Sequence, residues 1–191
     1  MNRYLRKFVV ALMTMVITAP VMAATETFVL DPGHTYVLWH INHFGFSNPS
    51  GKWMAEGTLV TDEKKPADSK LHVTIQVDKV DTGIPKLDEH LKGQDFFDTK
   101  KYPTATFVSD KVTVTGKDTA IVKGMLTLRG VTKPVTLKVK LNKIGVSPIT
   151  NKKTAGFTAI AKLKRSDYGI TAYLPGLGDE VKLEIEAEAA V

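Results

Sequence analysis

The strongest constraint on this chain is a period of two. Near the C-terminus Val181, Leu183 and Ile185 alternate with Lys182, Glu184, Glu186 and Glu188. Successive side chains of an extended strand point to opposite faces, so this stretch has one apolar and one charged face. The pattern recurs as Leu71, Val73, Ile75 and Val77 against His72, Thr74, Gln76 and Asp78, and as Val135, Leu137, Val139 and Leu141 against Thr136, Lys138 and Lys140. Strands are predicted at Thr27–Leu30, Lys52–Thr61, Leu71–Val80, Thr104–Thr115, Ala120–Arg129, Val135–Ile144, Thr154–Lys164 and Val181–Ala189. Turns at Asp31-Pro32-Gly33, Asn48-Pro49-Ser50-Gly51 and Gly116-Lys117-Asp118 make most neighbours antiparallel hairpins. Thr35–Phe46 reads differently: Tyr36, Leu38 and Phe44 lie on one face and Val37, Trp39 and Ile41 on the other, as in a strand covered on both sides.

One segment breaks the period. In Lys86–Phe107, Leu87, His90 and Leu91 share a helical face, Asp88 and Glu89 fall in the first turn, Gly93 ends it, and Pro103 forbids further helix. Asp95 is expected to cap a second short turn carrying Phe96 and Phe97. About eight strands with one apolar face each allow a sandwich or a closed barrel. Strands of about ten residues and one connection of about 25 residues favour an antiparallel barrel with this segment across a mouth. An outer-membrane barrel is apolar outside, which the glutamates of the last strand exclude.

The first 23 residues read as a secretory signal peptide: Arg3, Arg6 and Lys7, an apolar run from Phe8 to Val21, and Val21-Met22-Ala23 before a cleavage point at Ala24. The expected mature domain is 24–191, exported to a bacterial periplasm or secreted. No Cys follows the apolar run, so no lipoprotein anchor is expected. The chain has 26 basic and 20 acidic residues; the leader holds three of the basic ones and no acid, leaving +3 spread along the rest. No basic block is interleaved with aromatics, which argues against nucleic-acid binding. The absence of cysteine excludes thiol chemistry, Fe–S clusters and zinc–thiolate sites.

Catalytic and metal patterns are missing too. His40 and His43 point to opposite faces of a strand, and His34 and His40 lie about 20 Å apart along one. No metal site is expected. There is no G-x-S-x-G elbow. Gly176-Leu177-Gly178-Asp179-Glu180 reads as a turn, as does Arg129-Gly130-Val131-Thr132-Lys133-Pro134, and Arg165 and Asp167 read as an ion pair beside a bend at Tyr168.

Five blocks together resemble the bacterial YceI-like proteins: His90–Phe97, Lys101–Phe107, Gly124–Val135, His43–Ser47 with Gly51-Lys52-Trp53, and Arg165–Gly169. They run in order along essentially the whole mature chain. Trp53 and Tyr168 stand where a Phe is more usual. The resemblance implies a lipocalin-like antiparallel barrel around a long apolar tunnel that holds a polyisoprenoid or similar lipid. It also implies export and frequent dimers, and brings no catalytic residues and no cofactor beyond the lipid.

A small barrel can hold one ligand. Each methylene moved out of water into it is worth ~0.8 kcal/mol, so ten give ~8 kcal/mol before association costs. The candidate lining is Trp39, Phe44, Phe46, Trp53, Phe96, Phe97, Phe107, Tyr168 and Tyr173, residues that could equally pack as core. The expectation is an exported, non-catalytic carrier or store of an isoprenoid chain, for example a quinone tail. Two alternatives stay open: a periplasmic stress-response or redox-partner protein, serving a quinone-linked membrane cytochrome, or an enzyme acting on isoprenoid lipids.

Overall fold

The last strand, β9 (Leu177–Ala190), lies at the seam of the fold. A computed structural model describes residues 25–191; the expected signal peptide and its cleavage point lie outside the described residues. The preceding strands are β1 (Glu26–Leu30), β2 (Tyr36–His43), β3 (Ser50–Thr61), β4 (Lys70–Gln76), β5 (Thr104–Val114), β6 (Thr119–Leu128), β7 (Val131–Val146) and β8 (Lys153–Lys164), with one helix, α1 (Pro85–Leu91), between β4 and β5.

β9 pairs with β2 on one side and β8 on the other, and the order runs on through β7, β6, β5, β4 and β3 back to β2. Every pairing is antiparallel, and the ring of eight closes as a barrel rather than a sandwich. β1 is the ninth strand. It pairs with the far half of β3 and the last residues of β9, so β1 and β2 share one place in the ring. The chain steps between them at Asp31–Thr35, where the Asp31 N–H (2.8 Å) and the Thr35 hydroxyl (3.2 Å) both donate to the Glu188 carbonyl. Closure removes the open edges through which sheets aggregate.

Polar residues cover the outside. Lys162 meets Glu180 at 2.9 Å, and the Thr158 hydroxyl donates to the Glu186 carboxylate. This wall cannot face lipid. Connections 44–49, 77–103 and 165–176 gather at one end, the upper end here. Residues 62–69, 115–118 and 147–152 turn at the lower end.

Several local expectations are corrected. β2 stops at His43, because Phe44 (φ 53°) and Gly45 (φ 79°) make a left-handed turn closed by the Phe46 N–H to the His43 carbonyl (2.9 Å). The turn is there, not at Asn48–Gly51. Among the described residues no second layer covers the outer face of β2; the Lys52 ammonium lies over Tyr36, 4.4 Å from the ring centroid. Arg129 (φ 51°) and Gly130 (φ 74°) form a two-residue hairpin turn, so β7 starts at Val131 rather than after Pro134. Gly178–Glu180 belongs to β9. Residues 92–97 form hydrogen-bonded turns rather than an Asp95-capped helix, with the Phe97 N–H donating to the Leu91 carbonyl (3.0 Å).

Candidate functional site

Barrel closure turns the inward half of every alternating strand into the wall of one space. That space has a volume of about 930 Å³ and runs from His43, Phe44 and Tyr173 at the upper end to Val114, Lys117 and Ile144 at the lower end. It lies within the range of small-molecule sites. All the inward residues predicted for β4, β7 and β9, from Leu71 to Ile185, line it.

The space stays open because the wall is thin where it could be thick. Ala55, Ala105, Ala155 and Ala159 take inward positions that larger residues would fill. Two of the larger rings are set back over glycines. Trp39 is paired with Gly51 across β2 and β3, and a side chain on Gly51 would collide with the indole. Gly124 likewise leaves room for the Phe107 ring. Trp39 and Trp53 are 5.9 Å apart by ring centroids, and Phe97 meets Trp53 edge-on at 5.1 Å.

α1 crosses the upper mouth. Pro85 opens it, supplying the fixed φ that suits a first helical position. The Asp88 carboxylate accepts from the Thr82 N–H (2.8 Å) and hydroxyl (2.7 Å), tying the helix to the preceding loop. Leu87, His90 and Leu91 face the space, as their spacing predicts. Beside them His90 packs on Phe96 at 5.0 Å and lies 6.5 Å from Tyr173.

Of the nine predicted lining residues, Trp39, Trp53, Phe96, Phe97 and Phe107 line the space as buried wall. Phe44 and Tyr173 line its rim and are about half exposed, at 47% and 60%. Phe46 does not line it: at the tip of the 44–49 turn it is 91% exposed. Tyr168 does not either. It is fully buried on the other side of the wall, where burial pushes its hydroxyl up to about 12. Phe46 stands beyond the end of β2, and Tyr168 ends a short 3₁₀ turn that carries it away from the lumen. Most of the wall is aliphatic, and it was legible as the inward face of β4, β7 and β9 rather than as aromatics.

Two arginines build the upper rim. Arg165 is buried and donates to four carbonyls, those of Gly178 (2.8 Å), Ile170 (3.1 Å), Ala172 (2.8 Å) and Leu177 (2.9 Å). The expected pair with Asp167 is not made. The nearby acid is Asp179; desolvation works against its charge, but the Ser166 N–H and hydroxyl outweigh that and hold it below the usual carboxylate range. Arg129 donates to the Gly169 (2.7 Å) and Gln94 (2.6 Å) carbonyls, joining the 165–176 loop to the segment after α1.

The histidines stay apart. His43 and His90 reach the rim, and His40 lies on the outer wall 3.8 Å from Glu184. On the seam, Asp31, His34 and Glu188 each bring a ligand atom within 4.8 Å of the others. There Asp31 meets His34 Nδ1 at 2.7 Å; this hydrogen bond lowers the carboxyl and raises the imidazole.

A family model described as the YceI-like domain matches residues 28–189. The chain belongs to the YceI-like family. A YceI protein from Escherichia coli is 44% identical over 156 residues, 81% of each chain. The crystal structure of BcnA from Burkholderia cenocepacia superposes with a TM-score of 0.75 at 25% identity, covering 83% of this YceI-like chain and 98% of that one. A polyisoprenoid binding domain from Saccharophagus degradans matches with a TM-score of 0.66 over 86% of this chain and 98% of its own; at 15% identity that likeness speaks for the fold alone.

Proposed function

We propose that this YceI-like protein holds one long apolar chain, of the polyisoprenoid class, inside its barrel and keeps it out of water. Exported to the periplasm or secreted, it stores or carries that chain without chemistry. The observation that supports this most directly is the unfilled space itself: about 930 Å³, walled mainly by Val, Leu, Ile, Ala and aromatic rings from one end of the barrel to the other. At ~0.8 kcal/mol per methylene, a chain of a dozen buried methylenes gains roughly 10 kcal/mol before association costs, enough for useful affinity without a polar anchor. The Saccharophagus domain of the same fold is described as polyisoprenoid binding, which agrees with this reading.

Delipidated protein mixed with polyprenyl or isoprenoid-quinone lipids is expected to give a one-to-one complex by native mass spectrometry. Failure to retain any chain of about twenty carbons or longer would overturn the proposal.

A further inference from the structure

The tunnel has two ends, and they differ in what surrounds them. At the upper end, Arg165 and Arg129 lock the loops through carbonyl bonds. Charges there are mixed, with six acids against five lysines along 77–103, and turns 62–69 and 115–118 at the lower end are mixed too, carrying Asp62, Glu63, Asp68 and Asp118 beside Lys64, Lys65 and Lys117; the ends differ at one hairpin. At the lower end the wall finishes in the β7–β8 hairpin. Ile144 lines the tunnel and is already part exposed. Further out, Val146 is 67% and Ile149 88% exposed. Between Lys140 and Lys153 stand four lysines, Lys140, Lys143, Lys152 and Lys153, and no acid. Among the described residues only Lys153 of these pairs with carboxylates, those of Glu26 and Glu63.

The tip is a built turn rather than a loose loop. The Ser147 N–H donates to the Lys152 carbonyl (2.9 Å), Asn151 donates back to the Ser147 carbonyl (3.0 Å) from φ 55°, and the Ser147 hydroxyl accepts from the Ile149 and Thr150 N–H groups at 3.3 Å. It therefore holds Ile149 out in water, three residues from Lys152 in the same turn. Apolar side chains flanked by lysines, continuous with an apolar tunnel, match a bilayer surface: the aliphatic tips enter the headgroup boundary and the lysines meet anionic headgroups.

We propose that the lower lip, formed by Ile144, Val146 and Ile149 with Lys143 and Lys152, docks on anionic phospholipid bilayers and presents that mouth of the tunnel to the membrane. The purpose of the docking rests on the lipid-container reading above; the docking itself does not.

The test is co-sedimentation of the chain from Ala24, whose ring closes within the described residues, with phosphatidylglycerol–phosphatidylethanolamine vesicles and with pure phosphatidylcholine vesicles. Binding is expected on the anionic vesicles only, and weakened at about 1 M salt, where the Debye length falls to about 3 Å. The double variant Val146→Ser, Ile149→Ser is expected to lose about tenfold in partitioning, while Phe46→Ser, at the opposite end, leaves it unchanged. No binding to anionic vesicles, or equal binding by the double variant, would overturn the docking. So would loss of binding in Phe46→Ser alone. Loading of the same variants from detergent-dispersed polyprenyl lipid, with no vesicles present, separates the two proposals. Normal loading without vesicle binding overturns the docking and leaves the container standing. Vesicle binding without any loading supports the docking and overturns the container.

Discussion

Trp39 lies against Gly51, its cross-strand neighbour, and occupies the space where a side chain on residue 51 would stand. The pairing explains how a barrel this size keeps a bulky indole in its wall without closing its own lumen. Gly51→Ala is expected to push the ring inward, costing about 1–3 kcal/mol of stability as overpacking does, and to reduce lipid uptake. Urea denaturation, together with a loading assay, checks both effects.

The small inward residues set the width in the same way. Ala159 is buried in β8 and lines the space. Ala159→Phe is expected to narrow the tunnel, so that a long polyprenyl chain is refused while a chain of about half the length still enters. Native mass spectrometry of a chain-length series reads the cut-off. Unchanged retention of the longest chain would show that Ala159 does not limit the lumen.

Arg165 holds the 165–177 loop through four carbonyls, and burial depresses its guanidinium pKa without giving it a paired acid. Arg165→Met leaves those acceptors without their donor. A loss of roughly 3 kcal/mol or more is expected, since bonds to charged groups are worth about 1.5–3 kcal/mol each and buried orphans add to the cost. Hydrogen exchange should quicken first at Ile170 and Leu177, whose N–H groups donate to the Arg165 and Tyr173 carbonyls.

On the outer seam, Asp31 raises the pKa of His34 above its ordinary 6.5, chiefly by their hydrogen bond. A raised folded-state value means that the stabilisation is complete below the unfolded value and fades as pH rises through the folded one. The same bond lowers Asp31, so its share is present above the unfolded carboxyl value, near 3.8, and fades in acid. The pair should therefore support the seam most between these two limits. An NMR titration of His34 should give a midpoint above 6.5 that returns toward 6.5 in Asp31→Asn.

How much of this was legible beforehand depends on whether the backbone kept its period. Where it did, in β4, β7 and β9, alternation alone identified the inward residues, and the aliphatic lining follows from it. The helical segment over the upper mouth was readable from Leu87, His90 and Leu91, with Pro103 as its limit. Left-handed turns mislead the pattern in both directions: at Phe44 a strand reading runs past the true end of β2, and at Arg129 a turn reading runs on to Pro134 although β7 resumes at Val131. Tyr168 was legible as a bend, but a bend does not show which side of the wall its side chain takes; it ends a short 3₁₀ turn, Arg165–Tyr168. The role of Arg165 was out of reach, because its partners are carbonyls that only the folded loop brings together. Ring closure was also undecided by pattern, since a sandwich has the same alternation; the pairing of β3 with β4 and of β2 with β9 resolves it.

The two tryptophans of the chain, Trp39 and Trp53, both stand in the tunnel wall, so their fluorescence reports directly on what fills it. Titrating delipidated protein with a polyprenyl lipid should shift the emission to shorter wavelength as water leaves the lumen, with an end point at one lipid per barrel. An emission spectrum that stays unchanged at every ratio, with chains of about twenty carbons and longer, would contradict the account.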